Sequence, residues 1–473
     1  MPKNRTPKPY PLNGKTIFGL STMRWTITAA GSLMTSAFML YLTDYSGLGS
    51  AAATVGTILL LVGRIFDAVD DPLQGWIMDS APRTRIGKFK PFMIGGIITC
   101  SLALIMLFNI PAFTSVTAQI IWLAVAYLLY EIGYSFQPHQ PIIYSLTNNP
   151  QIRQKLLVTP RVIEQVIVIP FSFFLSLAVV LGNATGSMKT GVGLLAVIFV
   201  VPMGLLALIG TICVKEGQVA ESGEKIGFRQ IINMFKINTP LWISFLSGIF
   251  GGAVFTFVMA SATYYIKWAF GAENFGMYAA IWGAFILLGI IAGTIIAPKA
   301  FKNVDPASGT IFCSFTSAGI LALIYFLSLL GINNAIVFFG LMLLFMIVAG
   351  MSYIPGTLIG METMDYSLYK TGRGMEALNQ AARNFLEKAQ QAVASSATGA
   401  VLIAVGYVVN EADEYIGTAP VESLLSGLLL VCCLIPAILA LIAGLVMRLL
   451  YPLKGEKRKA MYKAIRDSGE GAK

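Results

Sequence analysis

Arg64, Asp67, Asp70 and Asp71 lie inside an apolar run, Ala51 to Met78, that is long enough to cross a lipid bilayer. A charge at the bilayer centre costs about 2.5–3.5 kcal/mol on insertion scales. Four such side chains within eight residues therefore need internal pairing, a water-filled cavity or a bound ion. Steps of three and four residues place Arg64, Asp67, Asp71 and Gln74 on one helical stripe, with Asp70 beside it. Three carboxylates against one guanidinium leave a negative surplus that a cation could neutralise. A purely structural salt bridge would need only one of the acids.

Other apolar runs also carry polar side chains. Glu131 sits in YLLYEIGYSF among Tyr127, Tyr130 and Tyr134, at a depth that suits a cavity-facing acid. It reads either as a further cation ligand or hydroxyl acceptor, or as a carboxylate paired with Arg161 or Lys388. Arg161 follows Pro160 and has Glu164 close by, so a local ion pair competes with a substrate role. Lys388 is surrounded by Arg383, Asn384, Gln390 and Gln391, a cluster too polar to face lipid and so expected to line a cavity. His139, the single histidine, lies in QPHQP. Its near-neutral titration would allow proton transfer, but its setting between two prolines reads as a helix break.

The elements that position these residues follow from composition. A mean hydropathy of +0.74 with 12% charged residues places the 473-residue chain in a membrane rather than in solution. Twelve apolar spans are expected, near 16–43, 51–78, 91–110, 116–146, 157–182, 191–214, 240–266, 274–297, 310–330, 335–360, 376–408 and 423–449. The first is too long for the apolar region of a cleavable signal peptide. Most of the 33 Lys and Arg fall at the N-terminus, in alternate loops and in the tail, which places both termini in the cytoplasm. The net charge of +10 follows from this topology and implies no nucleic-acid partner. The basic tail is expected to act as a topology determinant. The five cysteines lack disulfide or metal spacing and read as packing residues.

The longest polar interruption, 215–239, divides a six-span half at 16–214 from another at 240–449, with an N-terminal segment at 1–15 and a basic tail at 450–473. GWIMDSAPRTR after the second span and GTIIAPKAFKN after the eighth form a faint repeat. An all-α membrane protein of twelve helices in two six-helix halves has the layout of major facilitator transporters, whose sites lie between the halves.

DAVDDPLQGWIMDSAPRTRIGKFKPF resembles the signature of the glycoside–pentoside–hexuronide:cation symporters, the melibiose-permease group of that fold. The matching positions are Asp67, Asp71-Pro72, Gly75, Arg83, Arg85 and Gly87-Lys88-Phe89-Lys90-Pro91. METMDYSLYKTGRGMEAL is similar to the family's loop between spans ten and eleven, at Asp365-Tyr366. Glu131, Arg161 and Lys388 fall at the family's acid, arginine and lysine positions.

The resemblance implies symport of a sugar or glycoside with Na⁺ or H⁺ across the cell membrane of a prokaryote, without a cofactor. It implies a cation held by Asp67, Asp71 and Glu131, with Asp70 a weaker addition, and with Arg161 and Lys388 on the sugar side or in coupling. Arg64, Arg383 and Asn384 join that substrate or coupling set, and Tyr353 offers either a platform for a sugar ring or plain packing. The sequence departs from galactoside-transporting members in three places. No acid precedes Asp44 in the first span, Tyr134, Ser135 or Phe136 replaces an expected tryptophan, and Asp70 stands where a neutral residue is usual. Arg24, Arg161 and Arg383 suit an anionic sugar such as a hexuronide, by bidentate contact with its carboxylate. Arg64 and Arg161, however, are shared with transporters of neutral sugars. An enzyme is not expected, because HExxH, CxxC and Walker-type motifs are all missing. A receptor on the same fold differs only in failing to accumulate sugar against a gradient.

Overall fold

The computed structural model describes residues 13–146, 156, 160, 163, 169–216, 238–371, 390, 393–394, 396–410 and 414–467. For Arg64, Asp67, Asp70 and Asp71 it describes the backbone alone. The chain divides into two compact units, Met1–Ser222 and Gly223–Lys473. Among the described residues both are helical, with two isolated bridges, at Thr84–Gly87 and Val409–Tyr415, and no sheet.

Unit 1 begins with α1 (Gly14–Thr22) and α2 (Trp25–Leu33), which runs on through π-helical turns at Met34–Phe38 and Tyr41–Tyr45. The expected first span is thus interrupted. The Ser21 and Thr22 hydroxyls donate to the carbonyls of Ile17 and Phe18, at 2.7 and 2.9 Å, a back-bonding that bends helices. The acid-bearing α3 (Ala52–Ser80) stops at Ala81, which takes the extended backbone favoured before Pro82. α4 (Lys90–Phe108) starts with Pro91 in its first turn, and α5 (Val116–Ser135) is capped by the Ser115 hydroxyl.

The expected uninterrupted span 116–146 is corrected to α5 followed by α6 (His139–Leu146). Pro138 disfavours helix at Gln137, whose carboxamide donates 3.0 Å to the Gly133 carbonyl at the helix end. His139 therefore opens the new helix. α7 (Phe174–Thr185) ends on the left-handed Gly186, and α8 (Met188–Cys213) completes the unit.

Unit 2 contains α9 (Thr239–Ala269), α10 (Phe275–Ala300), α11 (Pro306–Leu329) and α12 (Ala335–Thr371). After a helical stretch at 396–404 come α13 (Val421–Leu429), a π-helical turn, α14 (Ile435–Leu450) and α15 (Gly455–Asp467). Two expectations change here. The helix of the span drawn at 335–360 continues past the apolar stretch to Thr371, so Asp365 and Tyr366 lie on a helix and not in a loop. The basic tail is also a structural element, since α15 buries Met461 against Ile359, Met447 and Tyr451.

Eight helical stretches among the described residues are long and apolar enough to cross a membrane. Leu102, Ile121, Leu288 and Ile336 expose large apolar side chains on their outer faces, as lipid contact requires. All five cysteines are free, and Cys100, Cys313, Cys432 and Cys433 are buried.

Candidate functional site

In unit 1, α3 and α5 meet at Gly63. A Cβ there would collide with the Tyr127 ring and stand 2.9 Å from Glu131 Oε1, so only glycine lets the helices approach this closely. Glu131 is 2% exposed and Gln74, eleven residues past Gly63 on α3, is 1% exposed. Along α3, Asp67 follows Gly63 by one turn and Asp70 by two. Tyr127, Tyr130 and Tyr134 form an aromatic ladder with ring centroids 5.7 and 5.8 Å apart, and Phe38 extends it at 6.2 Å from Tyr127. A buried carboxylate is thereby held against the helix segment that carries three more. Chemically, such an arrangement can take up a cation or a proton.

The remaining expected residues divide by location. Arg161, Arg383, Asn384 and Lys388 lie outside the described residues. Arg64 contributes backbone to α3, and Arg24 lies half-buried at the joint between α1 and α2. Tyr353, in contrast, sits on α12 at 59% exposure, at the wall of a cavity of about 410 Å³ inside unit 2. Gln390, from the polar cluster around Lys388, lines the same cavity, and its amide donates to the carbonyls of Gly248 and Ile249.

Two charged arrangements escaped the sequence. Glu216 accepts the backbone N–H groups of Lys88, Phe89 and Lys90 at 2.8, 3.0 and 3.3 Å, and its own carbonyl accepts from Arg83 at 3.3 Å. It caps α4, whose cap residue Phe89 has no side chain able to do so. Gly87, at φ +133°, leaves room for the carboxylate. In unit 2, Glu362 is 1% exposed and pairs with Arg458 of α15, while the Tyr451 hydroxyl donates to its other oxygen at 3.3 Å. Arg458 also reaches Asp305 at 3.6 Å, and the Gly455 N–H donates to Asp305 at 3.0 Å. Burial pushes the Asp365 carboxyl above the usual carboxylate range, and the Tyr462 hydroxyl, 3.1 Å away, restrains that rise. An acid directly after the sixth span and an acid-rich segment after the tenth were the available signals.

A family described as MFS/sugar transport protein matches residues 20–455. The chain belongs to this family. Among curated relatives, the isoprimeverose transporter of Lactiplantibacillus pentosus is 26% identical over 411 residues, covering 84% of this chain and 81% of the relative. The glucuronide carrier protein homolog of Escherichia coli is 24% identical over 426 residues, covering 89% and 88%. The crystal structure of a D-xylose-proton symporter superposes with a TM-score of 0.60 at 14% identity, covering 93% of this chain and 96% of the other, a likeness of fold alone. The resemblance seen in the sequence is met. The chain is a multi-pass membrane transporter of the major facilitator superfamily and not an enzyme.

Proposed function

We propose that this family member is a symporter importing a sugar or glycoside by alternating access, coupled to Na⁺ or H⁺, in the cytoplasmic membrane of a prokaryote. The reading takes the chain as twelve spans in two six-helix halves, 16–214 and 240–449, with both termini cytoplasmic. One observation carries it: the Glu131 carboxylate lies against Gly63, one helical turn before Asp67. Asp67, Asp71 and Glu131 are the cation ligands on this reading, with Asp70 beside them. Lys388 couples the sites by competing for the same acids, so that each ligand favours the binding of the other. Arg161, Arg383, Asn384, Arg64 and Tyr353 serve the sugar or the coupling.

The test is uptake into proteoliposomes of labelled neutral glycosides, pentosides and hexuronides under an imposed Na⁺ or pH gradient. Accumulation of one sugar under one gradient names both substrate and ion. Asp71→Asn is expected to abolish accumulation while leaving downhill exchange, and unchanged accumulation in that variant removes Asp71 from the cation site. The relative named as an isoprimeverose transporter supports a neutral glycoside, the leading reading, and the relative named as a glucuronide carrier supports the anionic alternative. No gradient-dependent accumulation of any of these labelled sugars would instead leave a substrate outside the set or a receptor on the same fold that does not transport sugar.

A further inference from the structure

We infer that the end of α14 and the start of α15 form a binding site for a phospholipid with an anionic headgroup. Arg448, Lys454 and Lys457 take the headgroup, and an acyl chain lies along the exposed apolar stripe of α14. Such a site requires that α14 cross the membrane, as its apolar stretch Val421–Leu450 allows, and it does not depend on symport.

The stripe sets the place of the chain. Ile438, Leu441, Leu445 and Leu449 recur at steps of three and four residues, so they share one face of α14, and all four are exposed. Ala437, Ala440, Ala443, Gly444 and Met447 are buried, which turns the other side of the helix to the protein. Arg448 follows Leu445 by three residues and continues the exposed face into the last turn. A side chain of this length lays its methylenes along apolar neighbours and carries its charge to headgroup level.

Positive charge gathers where the stripe ends. Lys454 folds back over α14, and its ammonium donates to the Arg448 carbonyl at 2.7 Å. Burial and the nearby Arg448 guanidinium hold that ammonium below the usual lysine range, so two like charges crowd each other at the helix end. This bond uses one of the three ammonium N–H groups, and the planar guanidinium brings five more in a fork that suits phosphate oxygens. Lys457 is exposed in the first turn of α15. The neighbouring acids are engaged with other donors. Asp305 accepts from the Gly455 N–H and pairs with Arg458, Glu362 pairs with Arg458, and Glu456 pairs with Lys459 at 3.2 Å. The linker is held in place, because Tyr451 and Leu453 are buried and Met461 packs α15 against Ile359 and Met447. The three cations are therefore positioned before any ligand arrives.

A free phosphate would meet the cations and leave the stripe unused. A phospholipid matches both parts, its acyl chain against the leucines and its phosphate against the basic residues. A zwitterionic lipid brings its own cation to a place where two already repel, so a headgroup of net negative charge is preferred.

The test uses the purified full chain in phosphatidylcholine nanodiscs and measures binding of labelled phosphatidylglycerol, with equally labelled phosphatidylcholine as reference. The native chain is expected to prefer phosphatidylglycerol. Arg448→Gln with Lys454→Gln should weaken that binding about fivefold for each charge removed. Lys299→Gln with Lys302→Gln removes the same charge from the exposed turn after α10 and should leave the preference intact. Should the first pair fail to fold, Arg448→Gln alone, at an exposed position, is expected to lose about fivefold.

Equal affinity of the native chain for the two lipids overturns the site. So does an equal loss in the two double variants, which would reduce the effect to general surface charge. Displacement of the labelled lipid by glycerol phosphate at constant ionic strength also overturns it, since the cations would then serve a free phosphate.

Discussion

The two units close the same junction with opposite charges. In unit 1 the turn leading into α4 offers backbone N–H groups and Arg83, and the acid that receives them, Glu216, comes from just beyond α8. In unit 2 the turn leading into α11 offers an acid, Asp305, and the donors come from just beyond α14, as the Gly455 N–H and the Arg458 guanidinium. The interiors differ in the same spirit. Unit 1 buries Glu131 beside an acid-bearing helix, whereas the described wall of the unit 2 cavity is uncharged. Comparable junctions in the two units therefore carry different electrostatics.

Glu131→Gln should break this contrast most severely. It leaves the volume unchanged and removes a charge, so gradient-driven accumulation should be abolished. Proteoliposome uptake under an imposed gradient checks this. Gly63→Ala comes next, since a methyl group there forces α3 away from Tyr127 and Glu131. Affinity for the coupling cation should fall about tenfold, which titration of cation-dependent thermal stability would detect.

The two junctions rank below that. Arg458→Ala leaves the buried Glu362 carboxylate with the Tyr451 hydroxyl as its remaining described partner, at a cost of about 1–3 kcal/mol for an under-satisfied buried group. Glu216→Ala should cost less, about 0.5–2 kcal/mol, as for loss of a helix cap. Melting temperatures of the two variants, compared directly, test the order.

The smallest effect expected is at Asp365. Its carboxyl is raised in the folded state, so its contribution to stability is fully present below the ordinary carboxylate value and is lost as pH rises through the raised value. Asp365→Asn should therefore melt slightly higher than the native chain at neutral pH, with the advantage disappearing in acid. A melting series from acid to neutral pH gives the sign.

The sequence made the acid stripe on α3 legible because charge inside an apolar run is costly, and helical spacing then orders the residues. Glu131 was legible for the same reason. The close approach at Gly63 was not, because a single glycine in a helix looks alike whether it faces lipid or a partner helix. The Glu216 cap joins residues more than a hundred positions apart, and the lone acid in VKEG does not say which backbone groups it meets. Asp365 was assigned to a loop because the polar residues of METMDY end the apolar run, although α12 continues through them to Thr371. The same bias toward charge hid α15, whose Lys and Arg count drew attention away from the apolar side that Met461 buries. The prolines around His139 did announce the break after α5, but the apolar character of the flanks argued for one long span.

The junctions also bear on how the protein is made. Each unit is fastened by a segment that follows its last membrane-spanning helix, Glu216 in unit 1 and Gly455 with Arg458 in unit 2. During synthesis the turn before α4 waits for more than a hundred residues before its acid emerges from the ribosome, and Glu362 waits for nearly as many before its arginine does. Each half is thus fastened only when its own translation is complete. A ribosome stalled before residue 458 would release a unit whose buried Glu362 lacks its arginine, a defect that membrane quality control could read.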